Sequence, residues 1–219
     1  VRSPVSEDFH GVAWLDKFRG FIVGNGGRIL NTVNGGRNDS SNFGYRYGWT
    51  VNSTDTQQDL LDVAFPDLYF GFAVGKNGTI VRTTDGGFNW ITQASGTLND
   101  LYAVHFADKK TGVAVGANGT ILRTTDYGTT WNSQSSGTGE MLYGVSFTDA
   151  STGTAVGGNG TILRTTDSGM TWFLQSSGTS SALRSVFMTN DNPLVKGANI
   201  DSPPHRVIKR GLSVEVRTP

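Results

Sequence analysis

Cysteine is missing altogether from this 219-residue chain. Disulfide staples, thiol nucleophiles and cysteine-held metal are thereby excluded, although the compartment is not fixed. Net charge is missing too, because eighteen basic residues offset eighteen acidic ones. No global field draws the chain to nucleic acid or to a membrane, and only a local basic patch remains open. No apolar run approaches the roughly 18 residues that cross a bilayer as a helix. Glutamate is scarce: Glu7, Glu140 and Glu215 are the whole supply and fall in unrelated places. They offer no pair to hold across one glycosidic bond. His10, His105 and His205 show no metal-ligand spacing. Phosphate loops, nucleophile elbows and kinase signatures do not occur. These absences predict no enzyme, no metal and no cofactor. The chain opens on Val1 rather than Met, as a processed exported or lumenal protein does, whether thylakoid-lumenal, periplasmic or extracellular.

Glycine is what the chain has in excess, with thirty residues, about twice average usage. The glycines are spread evenly among Thr, Ser, Asn and Asp, which suits many tight turns. They also recur. "NGTIVRTTDGGFNW" at 77–90 returns as "NGTILRTTDYGTTW" at 118–131 and "NGTILRTTDSGMTW" at 159–172. Leu60, Leu101 and Leu142 open each copy, Gly75, Gly116 and Gly157 close its second run, and the spacing is 41 throughout. Two degenerate copies flank these three. The first carries "FHGVAW", "GFIVG" and "GGRILNTVNGG", with Asn34 in the Asp place and about ten extra residues before Trp49. The last carries "LRSVFM", "PLVKG", "HRVIKR" and "LSVEVR", without the Asp turn or the Trp.

Each unit holds four short β-branched and aromatic runs separated by turn residues, and no 3.6-residue apolar period. Four strands in 40–45 residues is the signature of a β-propeller blade. The sequence therefore predicts an all-β, five-bladed β-propeller of four-stranded antiparallel blades. It would be one domain over 1–219, with blades at about 9–59, 60–100, 101–141, 142–182 and 183–219, curled into a closed ring.

The recurring Thr-x-Asp-x-Gly-x-(Thr or Asn)-Trp pattern predicts a structural turn. A short Asp carboxylate accepts backbone N–H groups just ahead of it, Gly supplies positive φ, and Trp fills the gap beside the turn. The residues are Asp85, Gly87 and Trp90, then Asp126, Gly128 and Trp131, then Asp167, Gly169 and Trp172. This pattern resembles the Asp-box, or BNR repeat, where it joins a blade's third and fourth strands. Asn-Gly in each "NGT" reads as a type I′ hairpin between strands two and three. The same triplets, and "NST" at 52–54, also match glycan acceptors.

The longer string "GxAVGxxGTIxRTTDxGxxW", preceded by "LxxVxF", resembles the photosystem II stability and assembly factor family, a subgroup of BNR propellers. The resemblance is strong over 60–182 and weak in the flanks. It implies a non-enzymatic platform, lumenal or exported, that binds a partner polypeptide during assembly of a membrane complex. Members usually have seven blades. An arginine patch on the strand-three side is linked with partner binding in that family, and Arg82, Arg123 and Arg164 match it here.

Two readings of those arginines compete: a row gripping carboxylates of a partner, or braces that cover the Asp turn and strand four. Departures from the repeat say more, since the scaffold does not require them. The residue after each opening apolar position varies as His10, Leu61, Tyr102, Tyr143 and Arg184. His10, Tyr102, Tyr143 and Arg184 could ring the channel mouth and face a partner, or merely fill the channel. The inserted "RNDSSNFGYRYGW" holds Phe43, Tyr45, Arg46 and Tyr47, an aromatic-plus-Arg composition typical of contact hot spots. The function predicted is a scaffold for a protein partner. A lectin with pockets between blades is the alternative, and a sialidase-like hydrolase the third.

Overall fold

The computed structural model describes residues 8–37, 48–52 and 54–189 in full, and two later strands by their backbone. The fold is all-β. Four four-stranded antiparallel sheets follow one another, each built from consecutive strands in sequence order. The first contains β1 (Phe9–Trp14), β2 (Gly20–Gly24), β3 (Ile29–Thr32) and β4 (Thr50–Asn52). The second contains β5 (Leu60–Ala64), β6 (Gly71–Gly75), β7 (Ile80–Thr83) and β8 (Ile91–Gln93). The third contains β9 (Leu101–Phe106), β10 (Gly112–Gly116), β11 (Ile121–Thr124) and β12 (Asn132–Gln134). The fourth contains β13 (Leu142–Phe147), β14 (Gly153–Gly157), β15 (Ile162–Thr165) and β16 (Phe173–Gln175).

The last unit departs from expectation. Its strands β17 (Ser185–Phe187), β18 (Arg206–Lys209) and β19 (Leu212–Glu215) form a three-stranded sheet. Phe187 pairs directly with Arg206, so the third sequence run takes the place of the second. The expected strand at 193–197 lies outside the described residues. The innermost strands stack in succession, β1 on β5, β5 on β9, β9 on β13 and β13 on β17. Among the described residues, β17 and β1 make no substantial contact, so the expected closure of a ring is not seen there.

Apolar residues are buried between sheets rather than within them, because a single twisted sheet cannot bury its own faces. Phe21, Val23 and Ile29 of the first sheet meet Leu60, Val63, Ala73, Val81 and Trp90 of the second. The same arrangement recurs one sheet on, with Phe72, Val74 and Ile80 against Leu101, Val104, Phe106, Ala114, Leu122 and Trp131. Phe21 stacks on Phe65 at 4.4 Å and Phe72 on Phe106 at 4.3 Å. Each core is therefore a junction, and the strand-one aromatic of one sheet belongs to the sheet before it.

The repeated turn locks these junctions. Asp126 Oδ1 accepts the N–H groups of Thr129 and Thr130 at 3.0 and 2.9 Å and the Thr124 hydroxyl at 2.9 Å. Thr124 Oγ1 in turn accepts the N–H of Gly128 at 3.0 Å. Asp85 and Asp167 repeat the pattern with Thr83 and Thr165. The indole N–H groups of Trp90 and Trp172 donate to the carbonyls of Gly87 and Gly169. Gly87 and Gly128 have φ of 90° and 70°, and a Cβ on either would strike the ring of Phe21 or Phe72. Glycine is needed there twice over, for backbone hand and for the preceding sheet's aromatic. In the degenerate first unit, Asn34 Oδ1 still takes the Thr32 hydroxyl at 2.9 Å, and Gly36 still lies against Trp49. The Asn-Gly turns also behave as read: Asn77 and Gly78 have φ of 52° and 67°, both positive as a type I′ turn requires.

One buried acid breaks the repeat. Asp62 stands where other sheets have Gly11, Ala103 or Gly144. Its carboxylate accepts Val63 N–H and, across to β9, Val104 N–H, both at 2.9 Å. Part of the residue reaches solvent, yet the carboxylate is enclosed, and burial pushes its pKa up to about 6 against both hydrogen bonds.

Two predictions test this account. Asp126→Ala should cost about 1–2 kcal/mol, read as a lower denaturant midpoint with unchanged slope. Asp62 is protonated more readily folded than unfolded, so its contribution is greatest below pH 4 and falls as pH rises towards 6. Wild type should lose melting temperature relative to Asp62→Asn across that window, and a flat difference would remove the assignment.

Candidate functional site

Hydrogen-bond registers in the four complete sheets skip the same position. Phe9 pairs with Gly24 and Gly11 with Val23, leaving His10 unpaired. Leu61, Tyr102 and Tyr143 are skipped in the same way. The variable residue after each opening apolar position is thus the extra residue of a β-bulge, a device that turns a side chain out of the ladder.

Those bulges bring the side chains together in the later sheets. Tyr102 and Tyr143 lie 5.6 Å apart between ring centroids, tilted by 39°. The Arg184 guanidinium carbon sits 5.1 Å above Tyr143, and Lys76 Nζ is 6.0 Å from the Tyr102 ring. Met141 Sδ lies 3.9 Å from the Tyr102 hydroxyl and 3.4 Å from that of Tyr143. The result is a ladder, cation–tyrosine–tyrosine–cation, spanning four successive sheets. Such stacking is favourable where the cation faces the ring. Its two ends differ. Lys76 is paired with Asp100 at 2.7 Å, and that hydrogen bond raises its pKa. Arg184 is exposed, with Tyr143 as its neighbour. His10 does not join the ladder, because its Nε2 contacts Asn25 Oδ1 at 2.6 Å within its own sheet.

The three repeat arginines do not form a row of equals. Each is half-buried and shares a cross-strand register with a residue facing the next sheet, as Arg123 does with Val113 and His105. Arg123 Nε donates to the Ser168 carbonyl of the next turn at 2.7 Å. Arg82 lies 5.4 Å from the Phe70 ring centroid with its Nε buried and unpartnered. Burial lowers its pKa, partly offset by Asp126. Arg164 has no hydrogen bond or ion pair among the described residues. Among the described residues, nothing takes the place beside Arg164 that the Ser168 carbonyl has beside Arg123.

Phe43, Tyr45, Arg46 and Tyr47 lie outside the described residues. Sequence reasoning missed Lys76, Met141 and Asp62. Lys76 was findable, since the residue after the closing glycine is Asn25, Ala117 or Gly158 in the other copies. The Asn52 amide donates to the Gly87 carbonyl at 2.6 Å, a contact that a glycan at this nitrogen would displace.

Polar clefts also recur with the repeat. One of about 480 Å³ is lined by Asn99, Asn118, Ser136 and Thr138, and another by Asn77, Thr92 and Gln93. In the first, Asn99 donates to Thr120, Asn118 to Asn99 and Ser136 to Thr138, and no aromatic lines it.

Comparison with known proteins agrees with this architecture. The family model of the photosynthesis system II assembly factor YCF48 matches residues 42–101. Among solved structures, 85% of the chain superposes on 59% of a YCF48 bound to a D1 peptide, with 17% identity and a TM-score of 0.63. The GH74 enzyme of Niastella koreensis is matched over 77% of this chain and 30% of its own, at 14% identity and 0.59. The C-terminal WD40 domain of Sif2 is matched over 80% and 51%, at 13% identity and 0.57. At these identities the likeness is one of fold. The chain spans less than two thirds of that YCF48 chain. No curated protein matches it. In repeat pattern and in fold, the chain resembles the photosystem II assembly factor family.

The two kinds of arginine should separate in a denaturation experiment. Arg123→Ala strips a partner from the Ser168 carbonyl and should cost about 1 kcal/mol. Arg184→Ala should stay within about 0.5 kcal/mol of wild type.

Proposed function

We propose that this chain is a non-enzymatic β-propeller scaffold of five blades, with Asp-box turns as structural locks, that binds a polypeptide partner. The observation that carries this reading is the ladder of Lys76, Tyr102, Tyr143 and Arg184, its two tyrosines on the bulges of consecutive sheets. Scaffold needs do not account for it, since His10 and Leu61 fill the same bulge in the first two sheets. A line of tyrosine faces ending in an exposed guanidinium suits an extended segment carrying a carboxylate, with rings for contact area and Arg184 for charge. Arg164, which has no hydrogen-bond partner among the described residues, is a second anchor for such a segment. Arg82 and Arg123 act as braces between sheets. The loop with Phe43, Tyr45, Arg46 and Tyr47 adds contact area.

The resemblance to the photosystem II assembly factors gives the partner its class, a subunit of a membrane complex met in a lumenal or exported compartment. YCF48 itself has been solved with a D1 peptide. No helix among the described residues is long and apolar enough to cross a membrane. The GH74 likeness is confined to fold and to 30% of that enzyme, so hydrolysis has little support. The lectin reading gains from the recurrence of the clefts and loses from their self-satisfied amides and hydroxyls.

Used as bait in a detergent extract of its native membranes, the chain should retain one or a few membrane-complex subunits. Tyr143→Ala with Arg184→Ala should lower that retention about tenfold or more, as losing roughly 1.4 kcal/mol does, with melting unchanged. Retention unaffected by this pair, or multivalent capture on a glycan array, would reverse the ranking. Removing residues 38–47 should likewise weaken binding and spare the fold.

A further inference from the structure

One connector between sheets carries a carboxylate that the next connector lacks. Thr54-Asp55-Thr56, between β4 and β5, and Ser95-Gly96-Thr97, between β8 and β9, form the same turn. Thr54 Oγ1 donates to the Thr56 carbonyl at 3.2 Å, and Ser95 Oγ to the Thr97 carbonyl at 3.1 Å. The middle residue differs. Asp55 reaches forward to β8, the edge strand of the following sheet. Both of its carboxylate oxygens accept the Thr92 N–H at 3.2 Å, and Oδ1 also accepts the Thr92 hydroxyl. These donors favour the charged form and hold the Asp55 pKa below its ordinary value, the Thr92 hydroxyl foremost, against the cost of burial.

One repeat later the donors persist and the acid does not. Ser133 pairs with Leu122 as Thr92 pairs with Val81. Its N–H therefore points away from the sheet's third strand, as that of Thr92 does, and its side chain again ends in a hydroxyl. Neither donor has a partner among the described residues, and only the Ser133 carbonyl is engaged, by Gln134 Nε2 at 3.0 Å. Gly96, which holds the place of Asp55, lines a cleft of about 480 Å³ together with Ser133, Asn99 and Asn118. The same register position is Val51 in the first sheet and Leu174 in the fourth, and neither offers a hydroxyl. The paired N–H and hydroxyl thus occur at Thr92, where Asp55 fills them, and at Ser133, where the cleft leaves them open.

We infer that the cleft between Gly96 and Ser133 is a binding site for a carboxylate carried by another molecule, which takes on Ser133 the place that Asp55 takes on Thr92. A backbone N–H and a hydroxyl that donate to one ionised carboxylate make charge-assisted hydrogen bonds, stronger than neutral ones. The Asn99 and Asn118 amides are spent on Thr120 and on each other, so Ser133 supplies the free donors. No Lys, Arg or His lines the cleft, and the dissociation constant expected is on the order of 1 mM. The cleft is far larger than a carboxylate group, so the ligand brings further atoms with it. A small dicarboxylate and an acidic side chain of a polypeptide both present this chemistry. The inference does not rest on the tyrosine–arginine ladder, and its failure would leave that reading standing.

The test is a titration of the full chain followed through its amide NMR signals. The probes are glutarate, the capped peptide acetyl-Gly-Asp-Gly-amide and its Asn counterpart. The Ser133 and Gly96 amides should shift saturably with glutarate or the Asp peptide, and whichever binds more tightly identifies the source of the carboxylate. The Asn peptide should bind about tenfold or more weakly than its Asp counterpart. Ser133→Ala keeps the N–H, removes the hydroxyl on an exposed strand edge, and should weaken binding about fivefold. Asp55→Ala should leave the Ser133 response unchanged and give Thr92 a response of its own to the same carboxylate, which wild type does not show. No saturable shift at Ser133 with either carboxylate up to roughly 50 mM would overturn the inference. So would equal binding of the Asn peptide, unchanged affinity in Ser133→Ala, or a Thr92 amide that stays silent in Asp55→Ala.

Discussion

Burial between consecutive sheets is the constraint on which everything else depends. No sheet here has a core of its own. The second and third sheets each supply one aliphatic and aromatic half to the sheet after them and one to the sheet before them. Stability in such an array is close to a sum of nearest-neighbour terms. That is why a turn at the periphery matters to the interior: Gly87 and Gly128 bring the turn backbone against Phe21 and Phe72 of the preceding sheet. The Asp carboxylate holds the turn in that shape from the solvent side, and the buried Thr83, Thr124 and Thr165 hydroxyls hold it from inside.

A scaffold repeated this strictly leaves limited freedom for function, and the freedom lies where a side chain can change without touching a junction. The bulge at the start of strand one is such a place. Its residue is unpaired in the ladder and can be His, Leu or Tyr while the apolar residue before it, Phe9, Leu60, Leu101 or Leu142, pairs with the closing glycine of strand two. The tyrosine–arginine ladder is therefore compatible with the fold without being required by it. Arg123 shows the opposite case, a side chain drawn into the scaffold by the next turn, while the same residue type at 164 has no such partner among the described residues. Context separates the two, since their local sequences, "ILRTTD", are identical.

Much of the fold was legible in the residues. Period 41, the alternation of β-branched runs with Gly, Asn and Asp, and the Asn-Gly hairpins are local signals, and strands and turns answer to local rules. The pairing of the last unit was not legible, because β17 pairs with β18, a partner about twenty residues on that local composition does not select. The site was half legible. Variation at Tyr102, Tyr143 and Arg184 stood out against the repeat, but their stacking, the entry of Lys76 and the exclusion of His10 depend on distances between sheets.

The sequence by itself determined the element type, the order of the sheets and the chemistry of the turn, because all three follow from patterns within about forty residues. Tertiary structure alone decided which arginine is spent on the next turn and which has no partner among the described residues, and why burial raises the Asp62 pKa to about 6. Those outcomes depend on what stands across a junction, and one sheet's residues cannot specify the sheet that will cover them.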